Sequence, residues 1–131
     1  VAFRSISDLD PGATTGGVDQ VFLFDVPSSR LRQITANPSG VFSLSLDEGG
    51  ERTAYETDGA VHLNSPAEGR DRVLLELPPL GPIPPFAAAP HLSADGKKVS
   101  VVSTIDPDTS VRNEDLNPEL CLIDVESGDA T

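Results

Sequence analysis

The sequence predicts an all-β protein of repeated short strands, and three observations predict it. Apolar residues fall in short alternating or continuous runs bounded by Gly, Pro, Asp and Ser, and no helix-length window carries them at i, i+3, i+4, i+7. The 131 residues include 12 Pro and 11 Gly, which interrupt the chain too often for long helices. Strand-like segments also recur at near-constant spacing: Val1-Ala2-Phe3-Arg4-Ser5, Thr53-Ala54-Tyr55-Glu56-Thr57 and Val99-Ser100-Val101-Val102-Ser103 each run β-formers into a hydroxyl residue, with offsets of 52 and 46.

Each recurring segment is the second strand of a unit. Before two of them lie a strand and a turn: Val41 to Ser45 with Asp47-Glu48-Gly49-Gly50-Glu51-Arg52, and His91-Leu92-Ser93 with Asp95-Gly96-Lys97-Lys98. Asp and Gly suit these turns because they tolerate the positive φ of a tight hairpin. The first turn reads as one residue longer than the second. After each segment comes a third strand: Gln20 to Val26, Ala60-Val61-His62-Leu63-Asn64, and Glu119 to Val125. Asp25 and Asp124 end their strands, where their side chains are expected to cap the following turns. A polar turn and a fourth strand complete the unit at Leu31-Arg32-Gln33-Ile34-Thr35 and Asp71-Arg72-Val73-Leu74-Leu75-Glu76-Leu77. Four strands in about 46–52 residues match the size of a propeller blade, a four-stranded antiparallel sheet. The chain then holds three strands of one blade in residues 1–35, a complete blade in 41–77, and three strands of another in 90–131. This is about two and a half blades, a set either incomplete as a piece of a longer protein or completed by oligomerisation.

These residues resemble the TolB-like (WD40-like) β-propeller repeat family. Leu92-Ser93-Ala94-Asp95-Gly96-Lys97-Lys98-Val99 is similar to the Ser-x-Asp-Gly-Lys hairpin of that family, and Arg32-Gln33-Ile34-Thr35 to its Arg-x-Leu-Thr strand end. The steps Gln20-Val21-Phe22-Leu23-Phe24-Asp25 and Glu119-Leu120-Cys121-Leu122-Ile123-Asp124 match its third strand. The middle copy departs from the pattern, with His62 and Asn64 where aromatic and Asp residues are usual. The resemblance implies a periplasmic or secreted bacterial protein.

Composition excludes several functions. Lys and Arg total 9 against 21 Asp and Glu, a net charge of −12, which opposes nucleic acid and anionic membrane surfaces alike. No apolar run approaches the roughly 20 residues of a membrane-spanning helix. The single Cys121 excludes an internal disulfide framework and reads as a small buried residue. The opening Val1-Ala2-Phe3, without a Met or a charged-then-apolar leader, reads as a processed or excised segment. His62 and His91 have no second His or Cys at ligand spacing, and no nucleophile elbow or phosphate-cradling loop is present. The sequence is thus expected to be non-catalytic, without a cofactor.

The candidate binding residues lie in two long acidic connections. Residues 7–19 hold Asp8, Asp10 and Asp19; residues 104–118 hold Asp106, Asp108, Arg112, Glu114 and Asp115. Both share an Asp-Pro step, Asp10-Pro11 and Asp106-Pro107. These oxygen-rich loops suit a protein partner or, through the seven acids among them, calcium; solvated turns would use the same residues. The Pro-rich stretch 77–86 reads as an extended connector between blades rather than a polyproline ligand. The expected function is a protein-interaction scaffold within a larger bacterial envelope or secreted protein. The alternatives are a propeller portion that gates a serine peptidase or hydrolase domain elsewhere in the parent protein, and a propeller enzyme or lectin, which the 1 Tyr, 5 Phe and absent Trp disfavour.

Overall fold

The computed structural model describes residues 1–57, 59–76, 87–104 and 117–131. Ten strands are present: β1 (Ala2–Ser5), β2 (Gln20–Asp25), β3 (Arg30–Gln33), β4 (Ser43–Leu46), β5 (Thr53–Thr57), β6 (Ala60–Ser65), β7 (Arg70–Glu76), β8 (Ala87–Leu92), β9 (Lys98–Ser103) and β10 (Glu119–Asp124). They form three antiparallel sheets in chain order: β1-β2-β3, β4-β5-β6-β7 and β8-β9-β10, here sheets 1, 2 and 3. No helix occurs among the described residues. The alternation seen in the sequence becomes two faces per sheet, because successive side chains of a strand point to opposite sides.

Those faces build two cores. Ala54, Val61 and Leu63 of sheet 2 pack with Leu92, Val99, Val101, Cys121 and Ile123 of sheet 3. Val21 of sheet 1, with Ala2 and Ile34 beside it, packs with Val41, Leu44 and Tyr55 at sheet 2. Each fully buried Val, Leu or Ile contributes about 1.5–3 kcal/mol relative to exposure. Sheet 2 therefore sits between its neighbours, with Val61 and Leu63 turned toward sheet 3 and Tyr55 toward sheet 1.

Polar joints tie the sheets where the apolar contact ends. The Arg4 guanidinium donates to the carbonyls of Val41 (2.9 Å) and Phe42. Glu56 Oε2 accepts from Ser43 Oγ at 2.6 Å and from Ala89 N at 3.3 Å. Arg52 donates to Gly96 O at 2.9 Å.

Three sequence expectations are corrected. The two Asp/Gly hairpins are equally long. Asp47 N bonds to Arg52 O and Ser93 N to Lys98 O, and Gly50 and Gly96 share φ +68. The second turn starts at Ser93, two residues ahead of its Asp-Gly, because the Ser93 hydroxyl does the work of a turn carboxylate. In β6, Ser65 and not Asn64 occupies the place of Asp25, since Ser65 pairs with Arg70 as Asp25 pairs with Arg30. The first strand of sheet 3 begins at Ala87 and runs through Pro90 instead of starting after it. Its register shifts between Ala88 and His91, with Ala89 at φ 53. This irregularity on an edge strand accommodates a residue that has no N–H to donate.

Candidate functional site

The loop between β1 and β2, residues 6–19, is shaped by its own carboxylates. Asp8 Oδ1 accepts from Thr15 N at 2.6 Å and from Thr15 Oγ1 at 3.1 Å, while Thr15 Oγ1 also donates to Ile6 O at 2.6 Å. Thr15 is buried, so this clasp closes the loop on itself. The bonds from Thr15 hold the Asp8 carboxyl below the usual carboxylate range. Asp10 Oδ2 accepts from Gln33 N at 2.9 Å on the free edge of β3, and Gln33 Nε2 donates to Thr14 O at 3.0 Å. Asp19 lies 3.8 Å from the Arg4 guanidinium, and its carbonyl accepts from Val41 N at 2.8 Å.

The sequence places Asp8, Asp10 and Asp19 together in one loop, but the structure sends them to three different partners. No group of three or more His, Cys, Asp or Glu is arranged to hold a metal ion among the described residues. The remaining candidates, Asp106, Asp108, Arg112, Glu114 and Asp115, lie outside the described residues, as does the Pro-rich stretch 77–86. Held on this frame are Ile6 and Leu9, both exposed. In the sequence they stand out only as large apolar residues in an otherwise polar, acidic loop, a signal shared with Val18.

A second cluster lies between sheets 1 and 2. Tyr55 and His62 are direct cross-strand partners, and their rings stack with centroids 4.9 Å apart and planes 10° from parallel. The Tyr55 hydroxyl donates to Asp71 Oδ2. His62 Nδ1 lies 3.9 Å from Asp71 Oδ1, and Nε2 is 3.1 Å from Thr57 Oγ1. Burial, with the Asp71 bond added, pushes the Tyr55 phenol up. Burial also pushes His62 below its ordinary value, against the opposing charges of Asp71 and Glu76. Beside this cluster opens a shallow cleft of about 280 Å³ lined by Arg32, Ile34, Asn64 and Asp71 among others. Asn64 Nδ2 donates to Ile34 O at 3.3 Å across the cleft. The phenol, imidazole and carboxylate thus tie together three adjacent strands of sheet 2, and the Tyr55 ring alone carries the packing against Val21 of sheet 1. Both shifts favour the uncharged forms of His62 and Tyr55 in this half-buried cluster.

Asp124 behaves as its position predicts. Its Oδ1 accepts from Glu126 N and Ser127 N, both at 3.0 Å, and these bonds lower its pKa. Asp25 accepts from Ser28 Oγ. Cys121 is buried in the core between sheets 2 and 3.

No family model and no curated protein matches the chain. Solved structures do. TolB from Acinetobacter baumannii is 18% identical with a TM-score of 0.59, over 86% of this chain and 26% of that one. Oligogalacturonate lyase from Vibrio parahaemolyticus is 14% identical with a TM-score of 0.59, over 88% and 33%. A chain of the nidogen/laminin complex is 10% identical with a TM-score of 0.55, over 86% and 39%. The chain spans about a quarter of the TolB length and a third of the lyase. At these identities the likeness is one of fold: three consecutive antiparallel sheets packed face to face, the arrangement of part of a β-propeller.

Proposed function

We propose that the chain is a non-catalytic β-propeller scaffold that binds a protein partner through loop 6–19. The observation that carries this reading is the Asp8–Thr15 clasp, which holds the loop in one shape while Ile6 and Leu9 face solvent. A loop of this length without strands of its own is usually functional, and a pre-ordered one binds without the entropic cost of ordering. The surrounding acids favour a partner with basic residues around an apolar contact. The TolB-like sequence pattern supports placing the protein in the bacterial envelope or outside the cell.

Affinity capture from an envelope fraction tests the reading. The chain and its Ile6→Ser/Leu9→Ser variant are immobilised side by side, and retained proteins are quantified by mass spectrometry. A specific protein retained by the first and lost from the second is expected. Identical retention by both would overturn the reading, and so would hydrolase or lyase activity in the purified chain.

A further inference from the structure

Strand β3 is an edge of sheet 1, paired on one side with β2, and loop 6–19 reaches its other side. Gln33 stands opposite Phe22, and Ile34 N donates to Val21 O at 2.9 Å. Arg30, Arg32 and Ile34 therefore turn their backbone groups toward β2. The alternation of an antiparallel ladder turns those of Leu31 and Gln33 away from the sheet. Outward groups on such an edge are a template for pairing with another strand.

Two side chains occupy this template. Asp10 Oδ2 accepts from Gln33 N at 2.9 Å, in the place where the carbonyl of an added strand would sit. The Gln33 side-chain amide gives one proton to Thr35 O at 2.6 Å and one to Thr14 O at 3.0 Å. The first bond takes up a carbonyl just beyond the end of β3, and the second fastens the loop over the edge. Gln33 Oε1 is buried and has no hydrogen-bond partner among the described residues. Reversing the amide would set that oxygen against two carbonyl oxygens, so both protons stay committed to the edge and the loop.

We propose that Asp10 and Gln33 form an edge seal. They keep β3 from taking a further strand, and with the seal removed this edge pairs with an edge strand of a second copy of the chain. The role belongs to the side of loop 6–19 that faces the sheet, and it is independent of any partner at Ile6 and Leu9.

The test is molar mass by light scattering across a concentration series in about 0.15 M salt, where the acidic copies repel less, with circular dichroism to follow the strands. Asp10→Ala is expected to form a species heavier than the wild type forms at the same concentration, with its strand signal kept. Asp10→Asn keeps an oxygen acceptor and should follow the wild type, although it loses the same charge. Asp19→Ala, which removes one charge away from this edge, should follow the wild type too. Gln33→Ala frees Thr35 O and Thr14 O and should associate as Asp10→Ala does; it decides the question alone if Asp10→Ala does not fold. In the associated species the outward Leu31 amide should exchange with deuterium about tenfold more slowly than in the wild type. Wild-type masses in both Asp10→Ala and Gln33→Ala overturn the proposal. Equal association by Asp10→Asn or Asp19→Ala overturns it by making charge the cause. Association that leaves Leu31 exchange unchanged overturns it by placing the contact elsewhere.

Discussion

Asp47 and Ser93 stand at the same position of two successive hairpins and make the same pair of bonds with different side chains. Asp47 Oδ1 accepts from Glu51 N at 2.8 Å and Arg52 N at 3.2 Å. Ser93 Oγ accepts from Lys97 N at 3.2 Å and Lys98 N at 2.9 Å. The turn geometry is what repeats, and either oxygen satisfies it.

Substituting Asp47 tests this equivalence. Asp47→Ala leaves two part-buried backbone donors without their side-chain acceptor and should cost about 1 kcal/mol. Asp47→Ser should recover most of that loss. Urea unfolding of the two variants measures the difference.

Gly50 and Gly96 share φ +68 but not their surroundings. A Cβ at Gly50 would meet only Leu46, at 3.8 Å; one at Gly96 would meet Arg52 Cδ at 3.0 Å and Asp47 Oδ2 at 3.1 Å. Gly50→Ala should cost about 1–2 kcal/mol from the left-handed backbone alone. Gly96→Ala should cost more, since it also displaces the Arg52 side chain that bonds Gly96 O. Equal losses in thermal unfolding would show that the two hairpins do not interlock.

Stability should fall in two steps as pH drops. His62 is held below 6.5 in the folded chain, so the unfolded chain takes up the proton first. Its contribution is complete above about pH 6.5 and declines as pH falls through that value toward the lower folded pKa. Asp8, Asp95 and Asp124 are held below 3.8. Their contribution is present above about pH 4 and is lost as pH falls through their folded values. His62→Gln should remove the first step and leave the second, as read from unfolding midpoints across pH.

Equivalent leucines should differ sharply. Leu63→Ala opens the core between sheets 2 and 3 and should cost about 2–5 kcal/mol. Leu122→Ala, on an exposed face, should change the stability of the single chain by no more than about 0.5 kcal/mol. Denaturant unfolding at low protein concentration compares them.

Tyr55→Phe keeps the ring on His62 and removes the bond to Asp71. It should cost about 0.5–1.5 kcal/mol, whereas Tyr55→Ala should cost about 3–5 kcal/mol by emptying the core between sheets 1 and 2. Urea unfolding separates the two.

The strands were legible because their signal is local. Val21 to Phe24 and Leu120 to Ile123 are β-formers bounded by turn residues, and the spacing of Val1, Thr53 and Val99 marks the repeat without any contact being known. Part of the candidate site was legible too: Asp8, Asp10 and Asp19 are acids of one long loop. Their targets were not. Asp8 closes on Thr15, Asp10 reaches Gln33 and Asp19 reaches Arg4, because loop carboxylates choose among donors that only the fold brings near. The Tyr55–His62–Asp71 cluster was hidden for a similar reason. His62 looks isolated in the sequence, and its neighbour across the hairpin follows from register.

By itself, then, the sequence determined the all-β class, the four-strand unit and the positions of most turns, since alternation and turn chemistry act over a few residues. Tertiary structure decided which face of each sheet is covered. Leu63 and Leu122 are the same residue at the same place in the repeat, one in a core and one in solvent. Burial depends on what packs above a strand, and nothing within the strand records it.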